Sequence, residues 1–173
     1  MPHNRSVTLR FLAEPANVNF GGKVHGGAVM KWIDQAGYTC AAQWTGTYCV
    51  TLYVGGIHFI HPIHVGELVE VHAVVIHTGR TSLHIAVDIH AGDPKASVRQ
   101  RTGHCVIVFV ALDEQGKPKP VPLWEPQNEL DVGLQQYALR LMELRKLMDG
   151  EMGSRLALLD REQLLEAGGA GPT

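Results

Sequence analysis

Two adjacent glycines and one aspartate are the residues of this sequence best suited to chemistry. Gly26 and Gly27 stand where an apolar helix is predicted to begin, after a glycine-rich loop. Backbone N–H groups at a helix start, together with the positive end of the helix dipole, can bind an oxyanion or polarise a carbonyl. Asp34 follows about two turns later on nearly the same face, roughly 10 Å along the axis. The spacing predicts an oxyanion-binding terminus and a general base on one surface.

The surroundings of Asp34 are expected to tune its chemistry. The residues near it in the helix are apolar, namely Trp32, Ile33, Ala36 and Cys40. Partial desolvation by such neighbours would raise the pKa of the Asp34 carboxyl and make it a better base. The alternative is a structural role for Asp34, either as the partner of a buried polar group or as a solvent-facing residue.

Three regularly spaced histidines raise the alternative of a metal site. His58, His61 and His64 recur every three residues. That spacing aligns side chains on a helix, but Pro62 and the preceding alternating pattern favour a strand and a loop, where the side chains diverge. Glu67 is the closest acid, and a tetrahedral site needs a complete set of ligands. We therefore expect no metal site here.

A helix and a sheet must position these residues. The helix is predicted from about Gly26 to Trp44, with a buried stripe that is unusually rich in small residues. The segment 80–91 alternates apolar and polar residues, as does a strand in a sheet with one covered face. Five strands are predicted from such patterns, over residues 6–12, 49–60, 67–78, 80–91 and 103–113. This order predicts an α+β fold in which the helix lies across the concave face of an antiparallel sheet.

The composition changes after residue 113, which indicates a C-terminal extension. The segment 114–122 is predicted to leave the sheet as a turn followed by an extended, proline-rich stretch. A helix is expected over 129–148, broken by Gly150 and Gly153, and a second helix over 151–167. Residues 168–173 are expected to be disordered. The predicted division is a domain of residues 1–122 and a helical extension of residues 123–173.

Composition argues against several classes of partner. The net charge of −2 gives no basis for binding nucleic acid by bulk electrostatics. No apolar run is long enough to span a bilayer, and residues 1–30 lack the pattern of a secretory signal. Cys40, Cys49 and Cys105 are best interpreted as buried reduced thiols. We expect a cytoplasmic protein without a membrane or nucleic-acid partner.

Four motifs occur in an order that resembles a known enzyme family. They are Val24-His-Gly-Gly27, Trp32-Ile-Asp-Gln-Ala-Gly37, the histidine-rich segment 56–66, and His77-Thr-Gly-Arg-Thr-Ser82. This arrangement resembles the hotdog-fold acyl-CoA thioesterases, close to the bacterial YciA and cytosolic brain-type acyl-CoA hydrolase group, over residues 8–122. The resemblance implies a hotdog fold, a long buried helix wrapped by an antiparallel sheet, and hydrolysis of acyl-CoA thioesters. It also implies a homodimer, often a trimer of dimers, and no cofactor.

The resemblance implies catalytic roles for three residues. Asp34 matches the family's acid, Gly27 its oxyanion donor, and Asn19 a loop asparagine implicated in catalysis in relatives. A thioester carbonyl needs a donor at its oxygen and a water deprotonated by a base, which an amide and a carboxylate supply without a metal or cofactor. The alternatives are a tight turn at the two glycines and a simple turn or cap role for Asn19.

A second group of residues is expected to contact the substrate. The turn Arg80-Thr81-Ser82 matches the segment that meets the coenzyme A nucleotide, although Arg80 could be an ordinary hairpin residue. The remaining expected contacts with substrate or coenzyme A are His25, Gly26 and His61. His61 stands where the family commonly has lysine, and the pattern also differs at Gly56 and His58, so details of these contacts differ from the family.

Three functions remain compatible with these residues. The first is a thioester hydrolase. The second is a hydratase or dehydratase of acyl thioesters, which needs a histidine working with an acid, whereas the predicted helix has only the flanking His25. The third is a non-catalytic acyl-CoA sensor, which would not require Asp34.

One helix cannot easily hold both catalytic groups at one carbonyl. Gly27 and Asp34 are roughly 10 Å apart along the axis, whereas the attacking water and the carbonyl must meet within about 3.5 Å. Two antiparallel helices across a two-fold axis place the start of each beside the middle of the other. The sequence therefore predicts sites shared between subunits, with Asp34 from one chain and Gly27 and Asn19 from the other.

Overall fold

The first part of the fold is one antiparallel sheet with one long helix. The computed structural model describes residues 3–168, which form a unit that ends at Gln135 and a unit that begins at Gln136. The strands are β1 (Ser6–Leu12), β2 (Cys49–Phe59), β3 (Leu68–Thr78), β4 (Ser82–Gly92) and β5 (Gln100–Ala111). They pair in the order β1-β3-β4-β5-β2, all antiparallel. Helix α1 (Gly26–Thr45) follows β1 and a short 3-10 helix, Pro15–Asn17. The predicted α+β architecture is confirmed.

Small residues let α1 approach the sheet closely. Ala36, Cys40 and Ala41 are fully buried on the side of α1 that faces the sheet. A Cβ atom added at Gly37 would lie 2.8 Å from the ring of Phe109 and 3.0 Å from Ile107 Cγ2. Real Cβ contacts are not that short, so α1 can take this position only because residue 37 has no side chain. The small-residue stripe of the sequence is thus the contact surface of α1.

The inner face of the sheet forms the core. Its β4 residues, which the alternation assigned to one face, are all fully buried: Leu83, Ile85, Val87 and Ile89. The inner faces of β3 and β5 contribute residues such as Val71 and Ile107. β-branched and aromatic side chains suit such a pleated, covered surface. The result is a rigid base under α1, which fixes the position of the α1 side chains that point away from it.

The C-terminal part differs from the sequence prediction. A single helix, α2, runs over Glu129–Gly168, so Gly150 and Gly153 do not break it. Each glycine costs a helix only about 1 kcal/mol relative to alanine, and no proline is present to stop the helix. The hydroxyl of Ser154 donates to the Gly150 carbonyl at 3.0 Å within the helix. The disorder predicted for residues 168–173 is wrong at Gly168, the last residue of α2, and residues 169–173 lie outside the described residues.

Candidate active site

α1 begins with two backbone amides that are free to bind a ligand. His25 precedes the helix, and its Nδ1 accepts a hydrogen bond from the Ala28 amide at 3.0 Å. The amides of Gly26 and Gly27 make no hydrogen bond within residues 3–168. Both glycines are exposed. The helix start therefore offers two N–H donors and the positive end of the dipole to a molecule outside the chain.

Little space is left for a side chain at this helix start. A Cβ atom at Gly27 would lie 3.0 Å from His25 Nδ1, the atom that caps the helix. A Cβ atom at Gly26 would lie 3.4 Å from the ring of Phe59 at the end of β2. The two glycines therefore leave the amides accessible and let the His25 ring hold its capping position.

Asp34 lies on the exposed side of α1 and is held by a neutral partner. The Thr51 hydroxyl donates to Asp34 Oδ1 at 2.6 Å. No lysine, arginine or histidine of the described residues forms an ion pair with this carboxylate. One short hydrogen bond fixes the orientation of the carboxylate, while its second oxygen remains available to a water or a substrate.

The predicted desolvation of Asp34 is wrong for the single chain. The apolar neighbours that were expected to surround it, Trp32, Ile33, Ala36 and Cys40, are buried, but Asp34 is exposed. Successive helical residues are rotated by about 100°, so Ile33 and Ala36 point at the sheet while Asp34 points away from it. Any desolvation of this carboxylate must therefore come from a molecule that covers the outer side of α1.

Thr51 is a site residue that the sequence analysis missed. Its side chain reaches Asp34 from β2, where the register with β5 shifts directly after Thr51. Such bulges change the direction of neighbouring side chains and are frequent beside active sites. The sequence showed Thr51 only as a hydroxyl residue within the apolar start of β2. Nothing in that pattern linked it to Asp34, seventeen residues earlier.

Asn19 organises the loop before α1. Its Oδ1 accepts hydrogen bonds from the amides of Gly21 at 2.8 Å and Lys23 at 3.3 Å. Its backbone amide donates to the Lys23 carbonyl at 2.7 Å. These three bonds fix the turn that carries Asn19, and the side-chain nitrogen is not used by them. The structure thus gives Asn19 a loop-building role and leaves a catalytic role as a prediction.

The predicted site residues lie at the two ends of α1. At its first end are Asn19, His25, Gly26, Gly27 and His61. This end is fixed by a bond from the Val24 amide to the Ile63 carbonyl and by bonds from the amides of residues 60 and 61 to the Thr102 carbonyl. The turn Arg80-Thr81-Ser82 lies at the other end. The Thr81 carbonyl accepts a hydrogen bond from the Ala111 amide, and Ala111 pairs across the sheet with Cys49, which follows soon after the end of α1. Asp34 lies between these ends, so one chain does not bring all of these residues together.

The described residues contain neither a metal cluster nor a membrane span. No three His, Cys, Asp or Glu side chains among them are close enough to hold a metal ion. His64 pairs instead with Glu67 at 3.6 Å, while His58 and His61 lie apart on β2 and the loop after it. None of the described helices is long and apolar enough to cross a membrane.

A second aspartate, on the outer face of the sheet, contrasts with Asp34. Asp88 accepts a hydrogen bond from His104 Nδ1 at 3.0 Å and lies 3.3 Å from the Arg101 guanidinium. Burial alone would raise the pKa of Asp88, but the His104 hydrogen bond and the nearby charges outweigh it and lower the pKa below its ordinary value of 3.8. This carboxylate is thus half-buried and paired with both His104 and Arg101.

Comparison with known proteins places the chain in a family. A profile of the thioesterase superfamily matches residues 21–98. The acyl-CoA thioester hydrolase YciA of Salmonella typhimurium is 32% identical over 121 residues, which is 68% of this chain and 90% of YciA. The chain belongs to the thioesterase superfamily. The resemblance to YciA and the predicted hotdog fold are thereby confirmed.

Solved structures agree in fold over most of the chain. The crystal structure of an apo-hexameric acyl-CoA thioesterase is 33% identical, has a TM-score of 0.80, and covers 86% of this chain and 96% of its own. An acyl-CoA hydrolase from Staphylococcus aureus, in complex with butyryl coenzyme A and coenzyme A, is 26% identical with a TM-score of 0.82, over 90% of this chain and 94% of its own. Alanine variants of the Staphylococcus enzyme have also been solved, at an asparagine in position 28, an aspartate in position 43 and a threonine in position 60.

Proposed function

We propose that this thioesterase-superfamily member hydrolyses acyl-CoA thioesters with Asp34 as the base and the Gly27 amide as the oxyanion donor. The observation that carries the proposal is the exposed side of α1. It combines two unoccupied helix-start amides with a carboxylate that no cation neutralises. Such a pair suits an acyl carbonyl, which needs a donor at its oxygen and a base for the attacking water.

The reaction can be written with these groups alone. Asp34 accepts a proton from a water as the water oxygen bonds to the thioester carbon. The carbonyl electron pair moves to oxygen, where the Gly27 amide and the helix dipole stabilise the charge. The tetrahedral intermediate then collapses, the carbon–sulfur bond breaks, and protonated Asp34 returns the proton to the leaving thiolate. The products are a free carboxylic acid and coenzyme A, and no cofactor is needed.

We propose further that each site is shared by two subunits. Gly27 and Asp34 of one chain are roughly 10 Å apart along α1, too far to act on one carbonyl. The exposed side of α1 also presents apolar side chains, with Met30 48% and Tyr38 38% exposed. Covering this side with the α1 of a second chain would bury those groups and desolvate Asp34. Antiparallel helices would bring Asp34 of one chain to Gly27 of the other.

The Staphylococcus acyl-CoA hydrolase supports this choice of residues. Its three altered positions, an asparagine, an aspartate and a threonine, are separated by fifteen and seventeen residues. Asn19, Asp34 and Thr51 have the same types, order and separations in this chain. In our proposal Thr51 orients the base, and Asn19 positions the loop before Gly27 and can offer its side-chain nitrogen to the substrate.

The same arrangement assigns the coenzyme A end of the site. The turn formed by Arg80, Thr81 and Ser82 lies at the C-terminal end of α1. Along the helix axis, Trp44 at that end is about 15 Å from Asp34. An extended pantetheine arm could run from Asp34 to that end, so the nucleotide phosphates would meet the Arg80 guanidinium. His25, Gly26 and His61 would approach the thioester from the second subunit. We propose a trimer of dimers for the whole assembly, because a related thioesterase is hexameric.

A hydratase is less well supported because of the state of His25. Its Nδ1 accepts the Ala28 amide and therefore carries no proton in this arrangement. A hydratase would need that histidine to take up and return protons together with an acid. Doing so at Nδ1 would remove the helix cap. The same ring is well suited to hold the first turn of α1 in a hydrolase.

The proposal is tested by thiol release from a panel of acyl-CoAs and by one matched pair of variants. Gly27→Pro removes the amide hydrogen, and proline is tolerated in the first turn of a helix. Gly27→Ala adds a Cβ but keeps the N–H. We expect turnover by the wild type, a loss of about a hundredfold or more in Gly27→Pro, and a much smaller loss in Gly27→Ala. Equal losses in the two variants, or no turnover of any acyl-CoA by the wild type, would contradict the proposal.

A further inference from the structure

The segment before α1 is a small, rigid hairpin that we name the tongue, residues 17–25. Its two arms are joined by a bond from the His25 amide to the Asn17 carbonyl at 2.9 Å and by the pairing of Val18 with Val24. Its turn is closed by bonds from the Asn19 amide to Lys23 and from the Gly22 amide to Asn19, with Gly22 at φ 74°. The tongue therefore has a fixed backbone and a defined tip.

An unsupported phenylalanine stands at that tip. Phe20 is 113% exposed, the largest exposure among the described large apolar residues. The turn below it is fixed by Asn19 Oδ1, which accepts from the amide of Gly21. Removing an aromatic side chain from water is strongly favourable, and a rigid tip loses little conformational freedom when it binds. The tongue thus presents Phe20 in a form ready to pack against another apolar surface.

A matching aromatic surface lies at the opposite end of α1. The rings of Tyr38 and Tyr48 are 6.1 Å apart at an interplanar angle of 60°. Tyr48 is 60% exposed, and Tyr38 is 38% exposed one turn after Asp34 on α1. Offset and tilted aromatic pairs of this kind can accept a third ring with a favourable edge or face contact. The tyrosine pair therefore offers a partly uncovered platform that begins one turn after Asp34, the proposed base.

Within one chain the base of the tongue and this platform lie at opposite ends of β2. β2 has eleven residues, from Cys49, next to Tyr48, to Phe59, and it pairs with the nine residues from Ala111 to Gly103 of β5, so its ends are about 26 Å apart. The ring of Phe59 lies against Gly26, at the base of the tongue. Six residues from Gly26 to Phe20 span at most about 20 Å. The tongue alone is thus shorter than β2, and its base and Tyr48 of the same chain lie at opposite ends of that strand.

We propose that Phe20 of each subunit packs on the Tyr38–Tyr48 pair of its partner, so that the tongue covers the outer side of α1 from Asp34 towards its C-terminal end. This inference rests on the proposed shared site. When the Gly27 of one chain lies beside Asp34 of the other, the tongue extends from that point along the second half of the facing α1. Tyr38 is about 6 Å beyond Asp34 along the axis, which is within the reach of the tongue. The partner thus supplies an aromatic wall to the substrate groove.

A disulfide trap tests the contact directly. In the variant Phe20→Cys/Tyr48→Cys, a disulfide needs Cα atoms within about 7 Å, and a disulfide between subunits is recognised as a covalent dimer on a non-reducing gel. Burial raises the pKa of the native Cys40 and Cys105 thiols to about 12, and it raises the pKa of Cys49, so these thiols compete poorly. The matched control is Phe20→Cys/Arg10→Cys, because Arg10 is exposed but lies on the outer face of the sheet.

The expected result is a covalent dimer after mild oxidation of the first variant, reversed by reductant and absent from the control and from each single variant. In a second measurement, Phe20→Ala should raise KM for acyl-CoA about three- to tenfold with a smaller effect on kcat, and Phe20→Tyr should restore KM. No covalent dimer and an unchanged KM would overturn the contact. If complementation between Asp34→Asn and Gly27→Pro subunits still succeeds, only this inference fails and the shared site stands.

Discussion

Asp34 and Asp88 show two opposite ways of placing a carboxylate in this fold. Asp88, on the outer face of the sheet, is held by His104 and Arg101, and these groups lower its pKa. Asp34, on the outer side of α1, is exposed and has one neutral partner, the Thr51 hydroxyl. An acid whose pKa is lowered in the folded state stabilises the fold, whereas an oriented acid without a cation keeps its charge for a substrate. The difference supports our proposal that Asp34 carries the chemistry and that Asp88 stabilises the fold.

The largest effect that follows from this contrast is on turnover. We expect Asp34→Asn to lower kcat by about a hundredfold or more, because the amide cannot accept the proton of the attacking water. The matched change Asp88→Asn should leave kcat close to the wild-type value. Thiol release measured on both variants, with far-ultraviolet circular dichroism to verify folding, checks the contrast. Similar kcat values for the two variants would remove the basis for assigning the chemistry to Asp34.

The next effect concerns the group that orients the base. Thr51→Val keeps the shape of the side chain but removes the hydroxyl that donates to Asp34. We expect kcat to fall about tenfold in Thr51→Val, because a tenfold change in rate corresponds to the free energy of about one hydrogen bond to a charged group. Thr51→Ser keeps the hydroxyl and should retain most of the activity. Equal kcat values for the valine and serine variants would show that the hydroxyl does not position the carboxylate.

A smaller effect is expected at the coenzyme A end. Arg80→Ala should raise KM by about fivefold with little change in kcat, because a guanidinium contact to phosphate adds binding but no chemistry. The increase should shrink at high salt, which screens the exposed pair. Arg101→Ala is the control, because Arg101 is exposed but pairs with Asp88 on the outer face. If both arginine variants keep the wild-type KM, Arg80 does not contact the nucleotide.

The last prediction concerns stability rather than activity and tests the other half of the contrast. Asp88→Asn should lower the free energy of unfolding by about 1–2 kcal/mol at pH 7. The folded state lowers the pKa of Asp88, so its stabilisation is fully present above the ordinary value of 3.8 and is lost as the pH falls through the lower folded pKa. Urea unfolding of wild type and variant should therefore differ at pH 7 and converge at strongly acidic pH. A constant difference would contradict the ionic role of Asp88.

Local patterns made most of the fold and part of the site predictable. The small-residue stripe of α1 and the alternation in β4 depend on residues a few positions apart, and both were confirmed. The start of α1 at Gly26 was predictable for the same reason. Gly150 and Gly153 misled the prediction because the cost of a glycine in a helix is small, so α2 continues through them.

The remainder of the site depends on contacts that the sequence does not record. The partner of Asp34 is Thr51, on a strand whose bulge aims the hydroxyl at α1. The exposure of Asp34 follows from its rotation about the helix axis rather than from its apolar neighbours in sequence. Asn19 was recognised by type, but its hydrogen bonds to Gly21 and Lys23 are known only from the folded loop.

Complementation between two inactive variants is the most direct test of the central claim, a site made of Asp34 from one chain and Gly27 from the other. Asp34→Asn and Gly27→Pro proteins are mixed under conditions in which subunit exchange is verified by mass spectrometry. A mixed dimer then contains one site with both groups intact, so about a quarter of the wild-type activity should return after random exchange of equal amounts. If exchange is complete and thiol release stays at the level of the separate variants, the two groups do not act across the interface.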